Sequence, residues 1–418
     1  MASTTVLIFV ALLAVATWVS PLVSLYLFVL ASPFTAFNDL LGWDPRTRWA
    51  ILLCLRGAWE AFRTGTSYVP RKACQLWAVF TVLAVGGLWI GNIPLVPDEL
   101  EASRSALLAF VAGSCGMYGI WQLIRKRRQL NTLCAVFTAS VLIASSIGIV
   151  QALIGYRLGE PTDRIAGTLD NANYFATYLA LAATTLVLLV RLNLIKRWYG
   201  YIACAAAVMA CGLTLSRTGT MAVLVGVGLA LVVRSDRKLV SPRMIAAAAV
   251  GALLGSALLA NYLLEYRRNV TNSDARLAEA GQAVEDLSRL EAFRYSLQLT
   301  AENPLAGVGF GTFPSRNYNA NGFYVATHNT IMQVLVGTGL LGGALILSLI
   351  FSLVSPLHPQ ARRHLFPAAV AFGMCSLFGD YLESIEALVI FAVLYLSVRS
   401  LIAGPPATSN EQRPPCVV

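Results

Sequence analysis

Four side chains able to hold an anion or move a proton stand at junctions between apolar runs: Arg164, Arg217, Arg289 and His328. Arg217 lies in SRTG, which joins two apolar runs with no room for a solvated loop and so sets a guanidinium at a membrane edge. The fork geometry of arginine suits a phosphate or pyrophosphate better than the point charge of lysine does. The bland alternative is an anchor that snorkels to the interface. Arg289 has an equally simple structural explanation, a surface pair with Glu285 four residues earlier, and Arg164 stands beside Asp163. His328 is one of three histidines and opens an apolar run. A histidine so placed is either a structural hydrogen-bonding group or, with an imidazole that titrates near ~6.5, a general base. Asp98, Glu99 and Glu101 have the composition of a divalent-cation site, although a solvated acidic loop explains them more simply. The segment GVGFG, Gly307 to Gly311, lacks the strand context of a phosphate loop and reads as a flexible re-entry turn.

The elements that must position these residues are membrane helices. Of the 418 residues, 57% are hydrophobic and 12% charged, against about 25% charged in a soluble domain. The apolar residues come in runs near the length that crosses a bilayer core. Their pattern predicts helices at 4–31, 48–63, 74–93, 103–124, 131–155, 172–190, 199–215, 218–233, 244–264, 328–354, 365–380 and 383–402, with Pro21 able to split the first. The expected fold is all-α: a single polytopic transmembrane domain over 1–418 with about 12 spanning helices and one large loop at 265–327. Within that loop Leu277, Ala280, Val284, Leu287, Leu290, Phe293 and Leu297 recur at the spacing of an amphipathic helix.

The net charge of +10 gathers in short connections between helices, so it speaks for topology and not for nucleic acid. Connections carrying Arg71 and Lys72, Arg125 to Arg128, Lys196 and Arg197, Lys238, and Arg362 and Arg363 alternate with acidic ones, which puts the basic set inside and the long loop outside. All four lysines then fall inside, leaving arginine and His328 as the outer cations. The first apolar run has no basic region before it and reads as a retained helix, not a removed signal peptide. None of the eight cysteines lies in the long loop, so no disulfide framework or Cys-based zinc site is expected there.

Four segments taken in order carry a resemblance: RIAGTLDNANYFATYLAL from Arg164, LTLSRTGTMAVL from Leu213, SRLEAFRYSLQLTAENPLAGVGFGTF from Ser288 and THNTIMQVLVGTGLLGG from Thr327. Together they resemble the O-antigen ligase family of bacterial envelope glycosyltransferases. The resemblance implies a GT-C-like membrane fold in the inner membrane with a periplasmic active site. It implies that Arg217, Arg289 and His328 are catalytic. Arg164, Arg217, Arg289 and Asn329 would bind substrate, with Arg294 replacing Arg289 under the alternative register.

Members of that family join a glycan carried on undecaprenyl pyrophosphate to an acceptor, so the resemblance implies that donor, a lipid A core acceptor, contact with membrane lipids and no cofactor or metal. The chemistry suits the residues: arginines neutralise the departing pyrophosphate and a histidine takes the acceptor's proton. The alternatives are a polymerase of the same family and, in another class, a lipid-linked glycan transporter or flippase. The short tail after the last helix argues against a protein oligosaccharyltransferase. Asp380, Glu383 and Glu386 form the remaining ionisable group, the first two expected at an outer turn.

Overall fold

The computed structural model describes residues 2–35, 44–67, 69–90, 97–154, 165–169, 171–232, 275–322, 326–377, 379, 381–382 and 384–400. Among the described residues every regular element is a helix. We number them α1 (Ala2–Val19), α2 (Pro21–Ala31), α3 (Pro45–Thr64), α4 (Arg71–Ile90), α5 (Pro97–Leu123), α6 (Arg127–Ile154) and α7 (Ala172–Arg191). They continue as α8 (Arg197–Leu213), α9 (Arg217–Val232), α10 (Ala275–Glu302), α11 (Phe313–Asn321), α12 (Thr330–Val354), α13 (Pro359–Ser376) and α14 (Ile385–Arg399). Four stretches, Ser103–Leu123, Arg127–Leu153, Ala172–Arg191 and Thr330–Val354, are long and apolar enough to cross a membrane. Ile8–Val19, Pro21–Ala31 and Arg217–Val232 are shorter apolar helices. The helix expected at 244–264 lies outside the described residues.

The first apolar run divides at Ser20 and Pro21, because proline opens a helix well but cannot donate within one. Elsewhere helices start earlier than apolarity alone indicates. Helix α6 takes in Arg127 and Arg128, and Gln129 Oε1 accepts from the amides of Arg125 and Lys126, both at 2.8 Å, just ahead of it. The acidic stretch expected as a solvated loop is the opening of α5, where carboxylates suit the positive end of the helix dipole.

Helix α7 is the axis of the bundle: every residue from Phe175 to Val190 is buried. It is surrounded by α6, α8, α9, α13 and α14. Glycine lets α9 approach closely. A Cβ on Gly219 would stand 2.4 Å from that of Ala176, and one on Gly226 would stand 2.3 Å from Thr184 Oγ1. Small residues at helix contacts and large apolar ones outward is the arrangement membrane bundles favour. The second half, α3 on α5 and α4 on α12, packs by the same device, with Gly119 against the backbone of Leu53.

The long loop departs most from expectation. The GVGFG segment is buried from Gly307 to Phe310 and is not a flexible turn. Its three glycines all have positive φ, 69°, 107° and 77°, which a side chain would resist. It docks into a break in α12. Gly339, at φ 63° and ψ −165°, interrupts that helix. The amides of Val308 and Gly309 donate to the carbonyls of Val336 and Gly337, at 2.8 and 3.1 Å. Below the break, the amides of Leu340 and Leu341 donate to Pro304 and Leu305, at 2.8 and 3.2 Å. Irregular backbone at membrane depth is stable only when its polar groups are met by protein in this way.

Candidate functional site

The site is built from helix N-termini that open at one end of the bundle. Helix α7 is capped by Asn171, whose side chain accepts from the amides of Asn173 and Tyr174, at 2.7 and 3.4 Å. Helix α9 is capped by Ser216, whose Oγ accepts from the Gly219 amide at 3.3 Å. Helix α12 is capped by Asn329, which accepts from the amides of Ile331 and Met332 at 2.9 and 3.1 Å. Helix α14 is capped by Ser384, which accepts from the Ala387 amide at 3.1 Å. Each such terminus concentrates partial positive charge and favours an anion.

Specific contacts bring these ends together. The first turn of α9 lies on that of α7 through Gly219 and Ala176. Tyr174 of α7 meets Tyr381 edge to face, with ring centroids 5.5 Å apart. Thr330 at the head of α12 donates through Oγ1 to the Gly379 carbonyl at 2.7 Å and accepts from the Tyr381 amide at 3.2 Å. Asn329 adds a bond from Nδ2 to the Leu377 carbonyl at 3.3 Å. The segment before α14 is thus the hub joining the α7 and α12 ends.

Arg217 is the first residue of α9, exposed, after a turn of only Thr214, Leu215 and Ser216. Leu215 adopts φ 58° there and His328 adopts φ 47°, a conformation worth a look in any residue but glycine. Strain of this kind, about 1–3 kcal/mol each, persists where the surroundings dictate it and is concentrated at functional sites. At His328 the restraint is visible: Asn329 next to it caps α12 and is tied to Leu377, and Thr327 Oγ1 donates to the Asn329 carbonyl at 3.1 Å.

Arg289 and Arg294 separate on α10. Ala292, Ser296 and Leu299 form the buried stripe of that helix, and Ala292 and Leu299 pack with Met332 and Val336 of α12. Arg289, half-buried, precedes Ala292 by about one turn, N-terminal to the contact with α12. Arg294 is exposed and stands 3.8 Å from Glu291 as a surface pair. Arg164, Asp380 and Glu383 lie outside the described residues. Among the described residues no three His, Cys, Asp or Glu side chains gather in a metal-holding group. Glu101 is exposed on α5.

Two features lay beyond sequence reasoning. Glu386, in the first turn of α14, forms a buried ion pair with Arg46 at 2.5 Å, and Ser384 Oγ donates to its other oxygen at 2.7 Å. Arg46 also holds Asp44 through both carboxylate oxygens, each at 2.9 Å, and donates to the Ser32 carbonyl. This network pins the α14 N-terminus to the α2–α3 junction. The second is Arg316, buried on α11 between buried Ser315 and Asn317. Its only signal was an arginine in an Asn- and Tyr-rich stretch.

A family model described as O-antigen ligase matches residues 202–347. The span runs from α8 into α12 and contains Arg217, Arg289, Arg294, His328 and Asn329. No curated protein matches the chain.

Proposed function

We propose that this chain, whose residues 202–347 match the O-antigen ligase family model, is an inverting, metal-independent glycosyltransferase of the bacterial inner membrane. It moves a glycan from undecaprenyl pyrophosphate to the lipid A core. The family match supports a membrane glycosyltransferase of the ligase or polymerase type. The observation that carries the finer reading is the gathering of the α7, α9 and α12 N-termini, with Arg217 heading one and His328 preceding another.

In this mechanism Arg217 and Arg289 hold the pyrophosphate of the donor by charge-assisted hydrogen bonds, aided by the helix termini. The His328 imidazole accepts the proton of the acceptor hydroxyl while its oxygen attacks the anomeric carbon from the face opposite the leaving group. The bond from that carbon to the pyrophosphate oxygen breaks, and undecaprenyl pyrophosphate departs with the electron pair. The anomeric centre inverts. Because the donor is already activated, stabilising the departing charge is the main task, and arginines can meet it. The active site then faces the periplasm, a reading supported by the charge of the short connections.

The broken α12 is the one feature that favours a transporter, whose sites use discontinuous helices. Here the freed backbone groups flanking Gly339 are taken by residues 304–309, which weakens that reading. The test is transfer by the purified protein in nanodiscs holding lipid-linked glycan and lipid A core, with and without EDTA. Glycosylated lipid A core in both arms is expected. Glycan chains lengthening without lipid A core would make it a polymerase. Loss of product in EDTA, restored by magnesium, would replace the arginine-only mechanism.

A further inference from the structure

Helix α10 is built inside out for a helix in water. Its buried stripe is Ala292, Ser296 and Leu299, whereas Leu290, Phe293 and Leu297 are 46%, 40% and 48% exposed. Leu305, just beyond its end, is 64% exposed. The last three members of the periodic stripe, Leu290, Phe293 and Leu297, therefore lie on a face turned away from the protein. In water such a stripe would be the one to bury. Here an apolar stripe faces outward although a second face, with Ala292, Tyr295 and Leu299, already packs on protein, which is the situation of a helix bordered by lipid.

The docking of the loop fixes its depth. Leu305 is bonded to Leu341 of α12, and Pro304 to Leu340. Helix α12 is the least buried of the four candidate spans, only 33% buried, with Leu340, Leu341, Leu347, Ile350 and Phe351 facing outward. About 20 residues cross the bilayer core, and counting back from Val354 puts the boundary near Leu335. Leu341 and Leu305 then lie about 9 Å below it, at ~1.5 Å per residue, the depth at which interfacial helices settle. Leu305 beside Leu341 continues the outward apolar surface of α12 toward α10. The neighbouring face of α10 is polar, with the Arg294 and Glu291 pair and Gln298 donating to Glu302 at 2.8 Å.

We propose that the Arg289 to Glu302 half of α10, with Leu305 at its tip, is a re-entrant element whose Leu290, Phe293 and Leu297 stripe lies against the acyl chains of the leaflet at the site end. It rests on the chain being a membrane protein with α12 in the bilayer, and not on the proposed reaction. Held there, Arg289 borders the apolar stripe on one side and the α12 contact on the other.

The test replaces Phe293, Leu297, Gln298 and Leu347, one at a time, by a photo-crosslinking benzoylphenylalanine in the full-length protein in native membranes. Irradiation followed by mass spectrometry should give phospholipid adducts at 293 and 297 in yields like those at 347, and about tenfold above those at 298. Should the bulky group at 293 prevent insertion, Leu290 on the same stripe replaces it. Adducts at 347 with none on the stripe, or crosslinks from the stripe to a second copy or another protein, would overturn the proposal. Adducts at none of the four positions would remove α12 from the bilayer and the proposal with it. None of these outcomes depends on glycan transfer.

Discussion

Replacing Gly339 by alanine tests whether the docked loop and the broken helix hold the catalytic groups in register. At φ 63° and ψ −165° the residue occupies a region that L side chains avoid. A Cβ there would stand 2.3 Å from the Leu305 carbonyl oxygen and 2.4 Å from its carbon, and backbone cannot rotate aside. Two costs result: strain of about 1–3 kcal/mol, and displacement of residues 304–309. The displacement releases the hydrogen bonds to Val336, Gly337, Leu340 and Leu341, at about 1 kcal/mol each and more where a freed group stays buried. Even a penalty of ~3 kcal/mol against the productive arrangement lowers transfer by about two orders of magnitude. The core around α7 does not involve this contact, so the variant should still insert and purify as a folded protein. The assay is transfer rate per folded protein, with Gly228→Ala as control. No atom lies near a Cβ at Gly228, and alanine within α9 should leave transfer unchanged. Wild-type transfer by Gly339→Ala would refute the claim that the docked loop sets the site.

Glycine suits φ 47° better than histidine, so His328→Gly should melt slightly higher than wild type yet fail to transfer, with donor binding retained in a titration against lipid pyrophosphate. Wild-type activity should have a limb that rises with pH, because only the neutral imidazole accepts a proton, and a profile without this limb would remove the base role. Arg289→Lys keeps the charge but loses the fork and should cost roughly two orders of magnitude in rate. Arg294→Ala removes an exposed pair worth about 0–1 kcal/mol and should stay near the wild-type rate; equal losses in the two variants would move the assignment to Arg294. Glu386→Gln leaves the buried Arg46 with Asp44 as its one remaining carboxylate in this network, a loss bounded above by the cost of breaking a buried pair outright, about 3–5 kcal/mol. Its melting temperature should fall sharply, and a double variant, Arg46→Met with Glu386→Leu, should recover most of the loss; an unchanged melting temperature would show the pair to be dispensable.

What could be read from the chain beforehand follows from which forces leave a local trace. Apolar runs announce helices α5, α6, α7 and α12, because crossing a bilayer needs length and composition that no other element supplies. The turn at Arg217 was equally legible, since three residues between α8 and α9 allow no other geometry. Contacts distant in sequence leave no such trace: Arg46 and Glu386 lie 340 positions apart, and nothing near either residue names the other. The left-handed backbone at His328 was hidden for a different reason, since histidine rarely adopts it and tertiary ties through Asn329 and Thr330 impose it. Helix α10 is the most instructive case. Taking an apolar stripe as the buried one assumes water outside, whereas Leu290, Phe293 and Leu297 are exposed and the stripe of Ala292, Ser296 and Leu299 is what meets α12. A periodicity says that a helix has two unlike faces; which of them meets protein depends on the solvent, and for a segment beside a membrane helix that solvent can be lipid.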